Sequence, residues 1–316
     1  MLDINSFLEK YIYDENEKII LACSTWPDSI FLLHKILESK YKNTLIVCYF
    51  NHHLREEAKE EEEFITSLSK KYKFQLEIWE AHIENMRLLS KSVSVEELAR
   101  KERYEFLENI RKKYNASHIL TAHHLDDRIE TFLFNLLRGS KLTGLINMTE
   151  KNGNILRPLL HLEKKEILNY LEEKWIPYKV DISNMDTTIT RNFLREDVIP
   201  LFQWINPKYK ENIENLLSYF EELKNNVDTQ VKQFLIHNDF FYVDEFLEVS
   251  TFIQKEIIRH IFWQTNNFST IWLSEANINE VIKFIKNKGN YTKKHIKKMG
   301  LHKQNNIIKI SSRSQK

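Results

Sequence analysis

The chain has 316 residues, 42% apolar and 12% aromatic, which excludes global disorder and makes two domains with buried cores the expectation. Lys and Arg total 46 against 45 Asp and Glu, a net charge of +1, so any nucleic-acid surface must be a local patch. The first residues mix Asp3, Glu9, Asp14, Glu15 and Glu17 with apolar positions, and no apolar run is long enough to cross a membrane. That pattern matches neither a signal peptide nor a membrane anchor and predicts a cytoplasmic protein with no membrane partner.

Strand-like runs alternate with amphipathic stretches through the first half of the chain. Strands are expected at Lys18–Cys23, Thr44–Phe50, Phe74–Ile78 and Ser117–Ala122, and helices at Asp28–Lys40, Arg55–Tyr72, Val95–Tyr114 and His124–Leu137. This βαβα order predicts an α/β fold with a parallel, doubly wound sheet whose ligands bind beyond the strand C-termini. Further helices are expected near Glu163–Trp175 and Asn192–Trp204. From about Tyr209 a long helix leads into a smaller, mainly helical region with helices at Thr251–Trp263 and Leu273–Lys286 and a last strand at Asn306–Ile310. The expected division is 1–210 and 211–316. Cys23 and Cys48 both fall inside apolar strands, read as buried hydrophobes in a reducing compartment, and form no CxxC pair.

The first motif is Ser24-Thr25-Trp26-Pro27-Asp28-Ser29, directly after the run Ile19–Cys23 and before the apolar helix pattern Ile30–Leu33. A strand–loop–helix of this kind gathers backbone N–H groups and a helix N-terminus around a phosphate. The second is His123-His124-Leu125-Asp126-Asp127-Arg128-Ile129-Glu130-Thr131. At about 100° per residue, Leu125, Ile129 and Phe132 take one face, and His123, Asp126, Asp127 and Glu130 take the other. Carboxylates at such an edge suit Mg²⁺, which prefers oxygen ligands and substrate phosphates. Two cationic pairs follow, Arg100 with Arg103 and Arg191 with Arg195, each about one helical turn apart; alone, either would read as a solvated surface.

The ordered set Ser24–Ser29, Asn51-His52-His53-Leu54-Arg55, Ala99-Arg100 with Arg103-Tyr104, His123–Asp127 with Glu130-Thr131, Leu137–Ser140, Arg157-Pro158-Leu159, Asp181–Asn184 and Arg191-Asn192 with Arg195 resembles the tRNA(Ile)-lysidine synthetases of the PP-loop, or N-type ATP pyrophosphatase, superfamily. The resemblance runs from about residue 17 to 207. It implies an adenine-nucleotide alpha hydrolase-like sheet, with ATP and Mg²⁺ as cofactors. Its implied partners are free L-lysine and the isoleucine tRNA with a CAU anticodon, and a homodimer is compatible with it. By this resemblance Ser24, Thr25, Trp26, Pro27, Asp28 and Ser29 form the nucleotide loop, with Asp28 and Asp127 near the metal. Glu130 and His123 orient lysine or move its proton, Arg103 and Arg195 stabilise phosphate charge, and Arg138, Ser140 and Lys141 with Lys293-Lys294 and Lys297-Lys298 contact tRNA. Two rivals stand beside it: a PP-loop tRNA thiolase, disfavoured by the lack of a CxxC, and a tRNA-binding relic with a decayed loop.

One departure bears on the second rival. The family loop is Ser-Gly-Gly-x-Asp-Ser, and Thr25 and Trp26 replace both glycines. Trp175 and Trp272 also fall in turns that suit glycine, and the chain holds five glycines where average usage predicts about 22. Some bacteria read UGA as glycine and others as tryptophan, so the expectation is that these tryptophans stand at UGA codons meant for glycine.

Overall fold

The computed structural model describes residues 2–51, 58–80, 95–146, 148–179, 192–237, 239–266, 273–287, 289 and 291–312. Contacts divide the chain into 1–217 and 218–316.

The first unit is built on a six-stranded sheet of β1 (Ile19–Cys23), β2 (Leu45–Asn51), β3 (Gln75–Glu80), β4 (His118–Leu120), β5 (Lys151–Asn152) and β6 (Ile155–Leu156), in spatial order β3-β2-β1-β4-β6-β5. All pairings are parallel except the β5–β6 hairpin. Every residue of β1 is buried, as a central strand covered on both faces requires. After a first helix, α1 (Ile4–Glu9), Ile19, Leu21 and Cys23 pack with Ile30, Leu32 and Leu33 of α2 (Pro27–Leu37). Ile20 and Ala22 face Phe106, Leu107 and Ile110 of the helix Val95–Lys113. From β1 the chain winds outward through β2 and β3, then returns to place β4 on the other flank of β1. The switch point therefore lies between β1 and β4, and a crevice opens at their C-terminal ends.

Two helices complete the frame of that crevice: Leu125–Leu137 after β4, and Lys164–Glu173, which packs on α2 through the edge-to-face pair Phe31–Tyr170 at 5.0 Å. The helix expected at Asn192–Trp204 is present over 192–205, with a π-type turn at Leu194–Val198 leading into the segment Ile199–Ile205. Pro200 explains the π-type turn, since it has no N–H for the regular i→i−4 ladder.

The second unit is mainly helical, with the end of the helix Tyr209–Phe234 and the helices Val243–Glu248, Thr251–Thr265 and Glu275–Lys286. Ile257, Ile261, Val281 and Ile285 share its core with Leu301 and Ile308 of a four-stranded antiparallel sheet. That sheet is β7 (Phe240–Tyr242), β8 (Thr292–Ile296), β9 (Met299–Gln304) and β10 (Ile307–Ser312), in order β7-β10-β9-β8. One cross-strand row runs Phe240, Lys309, His302, Lys293, with both lysines exposed. Residues 290–316 contain no Asp or Glu. Lys294 turns the other way and pairs with Glu280, while buried Lys303 donates to the carbonyl of Ile285 at 2.7 Å.

Candidate active site

The loop after β1 is held by its own hydroxyls. Ser29 Oγ accepts from the Ser24 N–H at 3.2 Å and donates to the Trp26 carbonyl at 3.0 Å. Trp26 is the N-cap of α2 without a side-chain cap, and Pro27 opens the helix. Thr25 is fully buried at φ +67°, a left-handed conformation that β-branched residues avoid and glycine adopts freely. Trp26 itself has ordinary extended φ −79° and ψ 163°. The burden it brings is different: its buried indole N–H finds no acceptor among the described residues. The glycine-like backbone of the loop thus persists at Thr25, with an indole beside it.

Asp28 and the acidic helix face each other across the switch point. His124 sits between them, with Nε2 3.6 Å from Asp28 Oδ1 and 3.5 Å from Asp127 Oδ2, and Nδ1 3.6 Å from Asp126 Oδ2. Its backbone N–H donates to Asp127 Oδ2 at 3.0 Å, anchoring the helix start. Three cations serve these carboxylates, two of them shared. Lys164 Nζ lies 2.5 Å from both oxygens of Asp28. Lys210 Nζ lies 2.7 Å from Asp126 and 2.7 Å from Glu163. Arg195 donates from Nε and Nη2 to Glu130 at 2.6 and 3.0 Å and approaches Asp127 at 3.9 Å. Burial lifts the Glu130 carboxyl above its ordinary range while the Arg195 fork opposes the rise. Burial raises Asp126 too, but the Lys164 N–H and the Lys210 ammonium bring it below the usual value.

A second cluster on the same edge sets one histidine among three arginines. His123 Nδ1 is 2.9 Å from Thr121 Oγ1, and its pKa falls to about 3 through burial first and then the fields of Arg157, Arg103 and Arg100. Arg157 is 6% exposed, donates from Nη1 to the Thr149 carbonyl at 2.9 Å, and has no partner for Nε among the described residues. Burial pushes the Arg103 guanidinium down, with Arg100 adding like-charge repulsion. Among the described residues no carboxylate ion-pairs with these three arginines. His123 is therefore neutral and grouped with the arginines, whereas Asp127, Glu130 and Arg195 meet in the acidic cluster.

Mg²⁺ is ordinarily held by one or two carboxylates together with substrate phosphates. Among the described residues no three His, Cys, Asp or Glu side chains form a self-sufficient metal site. Asp28 and Asp127 flank one imidazole, and Asp28 already clamps a cation on both oxygens. The donor set fits Mg²⁺.

Sequence reasoning missed His124, Lys164 and Lys210. His124 was visible only as half of a His-His pair in an extended segment, whose alternation sends neighbours to opposite sides. Lys164 and Lys210 looked like ordinary first-turn residues of solvated helices. His52–Arg55, Asp181–Asn184, Arg191 and Trp272 lie outside the described residues. Trp175 lies within them. It is 91% exposed at φ +53°, its N–H bonds the Glu172 carbonyl, and the Ile176 N–H bonds that of Leu171. This is a Schellman C-cap with Trp at the position that favours glycine.

A loop of N–H groups at a switch point, facing carboxylates and an arginine cluster, defines a nucleotide-binding α/β protein of the phosphate-loop class. Residues 2–202 match the PP-loop domain family. The tRNA(Ile)-lysidine synthase of Thermosipho africanus is 37% identical over 265 residues, covering 80% of this chain and 61% of the relative. That of Mycoplasma mycoides subsp. mycoides is 31% identical over 308 residues, covering 95% and 75%. The chain belongs to the tRNA(Ile)-lysidine synthase family of PP-loop proteins. It spans about three fifths of the length of several of these relatives, including those of Thermosipho and Thermotoga. Among solved structures, the U34-tRNA thiolase of Methanococcus maripaludis superposes with a TM-score of 0.56 at 16% identity, covering 70% of this chain and 80% of that one, a likeness of fold. The thiolase reading finds no support in the cysteines: Cys23 and Cys48 are buried and free, and burial raises both thiol pKa values. Among the described residues, no helix is long and apolar enough to cross a membrane.

Proposed function

We propose that the chain ligates free L-lysine to C2 of the wobble cytidine in the CAU anticodon of an isoleucine tRNA, using ATP and Mg²⁺. The cytosine O2 attacks the α-phosphorus and diphosphate leaves. The lysine ε-nitrogen then attacks C2, the C2–O2 bond breaks, and AMP departs with that oxygen. The observation that carries the reading is the division of one sheet edge into a phosphate loop with carboxylates and a separate arginine cluster with which, among the described residues, no carboxylate ion-pairs.

The residues divide the work by charge. The loop Ser24–Ser29 takes the diphosphate portion of ATP at the N-terminus of α2, and Asp28 and Asp127 would hold the magnesium, which neutralises phosphate charge when bound. Arg103, with Arg100 and Arg157, provides fixed positive charge for the adenylated base. Glu130 and Asp127 attract the lysine ammonium, and Arg195 keeps Glu130 oriented. The ε-amine must lose a proton before attack. His124, between two carboxylates, is better placed to receive it than His123, whose pKa of about 3 makes it a poor base near neutral pH.

The row Phe240, Lys309, His302, Lys293 in the second unit fits RNA, pairing cations for phosphates with flat rings for bases. The test is formation of AMP and diphosphate from ATP by the chain with an unmodified CAU transcript. Diphosphate release that requires the transcript, with AMP release that requires both the transcript and lysine, supports the reading; no AMP under any condition favours the tRNA-binding relic.

A further inference from the structure

We infer that Lys164 is an exchangeable counterion of the phosphate loop, bound to Asp28 when the loop is empty and to the polyphosphate when nucleotide enters. The inference rests on the nucleotide-binding part of the proposed function and assigns a role to a residue outside its motifs.

The geometry sets both halves of the exchange. Lys164 is the first residue of the helix Lys164–Glu173, and its backbone N–H donates to Asp126 Oδ2 at 2.8 Å. The same helix is fixed to α2 through Phe31 and Tyr170 at 5.0 Å, with the Tyr170 hydroxyl 3.1 Å from Glu38. The base of the side chain is thus tied to the elements that carry the loop. Its end is a compact ammonium on a flexible four-carbon stem, 34% exposed at the solvent boundary, with 19% exposed Asp28 beneath it.

Charge accounting sets the direction. Asp126 keeps Lys210 and Glu130 keeps Arg195. Asp28 has Lys164 on both oxygens and the His124 edge at 3.6 Å. When Lys164 yields the carboxylate to magnesium, its ammonium stands beside a like charge and beside the phosphate oxygens brought in with it. Repulsion from the first and attraction to the second act in the same sense. A lysine suits this role better than an arginine, because a point charge re-aims without losing a planar fork. The pair also keeps Asp28 oriented in the empty protein, so that the loop is ready for its ligand.

Inorganic diphosphate is the probe, titrated calorimetrically into the full chain with Mg²⁺ and again with EDTA, for wild type, K164M and K164R. Lys164 as a phosphate ligand predicts that K164M weakens diphosphate binding about tenfold or more in both conditions, on the order of one charge-assisted hydrogen bond. K164R should stay within about threefold of wild type, since it retains the charge. Circular dichroism and melting verify that each variant is folded. Diphosphate binding by K164M equal to or tighter than wild type overturns the inference, because Lys164 is then only a lock competing for Asp28. A wild-type chain that binds neither ATP nor diphosphate overturns the nucleotide reading itself, and this inference with it.

Discussion

Arg195 and Glu130 meet through two hydrogen bonds of 2.6 and 3.0 Å, joining the π-type turn Leu194–Val198 to the middle of the helix Leu125–Leu137. Glu130 is buried and Arg195 is 44% exposed by its side chain. The carboxylate therefore depends on the arginine more than the arginine on it.

Arg195→Ala is expected to lower stability by about 1–2 kcal/mol, a charge-assisted hydrogen bond discounted for the exposure of its donor. Turnover should fall by about 100-fold or more, because Glu130 loses its orientation. The double variant E130Q/R195Q should cost less stability than the sum of the single changes, as coupled partners do. Chemical denaturation and single-turnover assays check the set; additive effects would show the pair to be incidental.

Trp175 is a tryptophan in a glycine position. Trp175→Gly should raise stability by about 1 kcal/mol by removing the left-handed penalty of a side chain, measured as a higher denaturation midpoint. Trp26→Gly should tighten ATP binding by freeing the loop from the indole. The same reasoning predicts UGA at codons 26, 175 and 272; a UGG at codon 26 would end the idea. A tryptic peptide mass from the native organism reads the residue directly.

His161 has Nε2 3.2 Å from Glu150 and Nδ1 2.6 Å from Glu214, and the bond to Glu150 raises its pKa, with Glu214 adding to the rise against burial. A base whose folded pKa is raised adds stability that is complete below its unfolded value, about 6.5, and is lost as pH rises through the folded value. Glu150 is the opposite case. Its pKa drops to about 2, mainly through His161, so its contribution is present above its unfolded value and fades as pH falls toward 2. Melting temperature against pH should decline above neutrality in wild type, and His161→Gln should flatten that limb. An unchanged profile would contradict the assignment.

Charge reversal at Lys293 and Lys309 should weaken tRNA binding and reduce its salt slope by about 1 for each phosphate no longer neutralised, with ATP binding unchanged. Equal affinity at low salt would remove this sheet face from the RNA surface.

The parallel sheet was legible because β1 and β2 are continuous apolar runs that only a doubly covered strand requires. Three of the four strands in the second unit were not: Phe240–Tyr242 is only three residues long, and Thr292–Ile296 and Met299–Gln304 mix lysines and histidines with few apolar residues, leaving no clean alternation. Candidate residues on motif positions, such as Asp28, Asp127 and Glu130, could be picked out by residue type and spacing, and the structure brings them near one another through His124 and Arg195. Lys164 and Lys210 were not, because their meaning comes from helix packing that brings distant segments together. His123 and His124 show the limit most clearly: adjacent and chemically identical in sequence, one is set among arginines and the other among carboxylates.

Lysine transfer is read most plainly on the tRNA itself. The native-organism chain is incubated with ATP, Mg²⁺, L-lysine and a CAU transcript, and the nuclease-digested product is analysed by mass spectrometry. The anticodon cytidine should gain one lysine with loss of water, AMP should form in equal amount, and neither product should appear without lysine. An unmodified cytidine alongside stable tRNA binding would overturn the ligase reading.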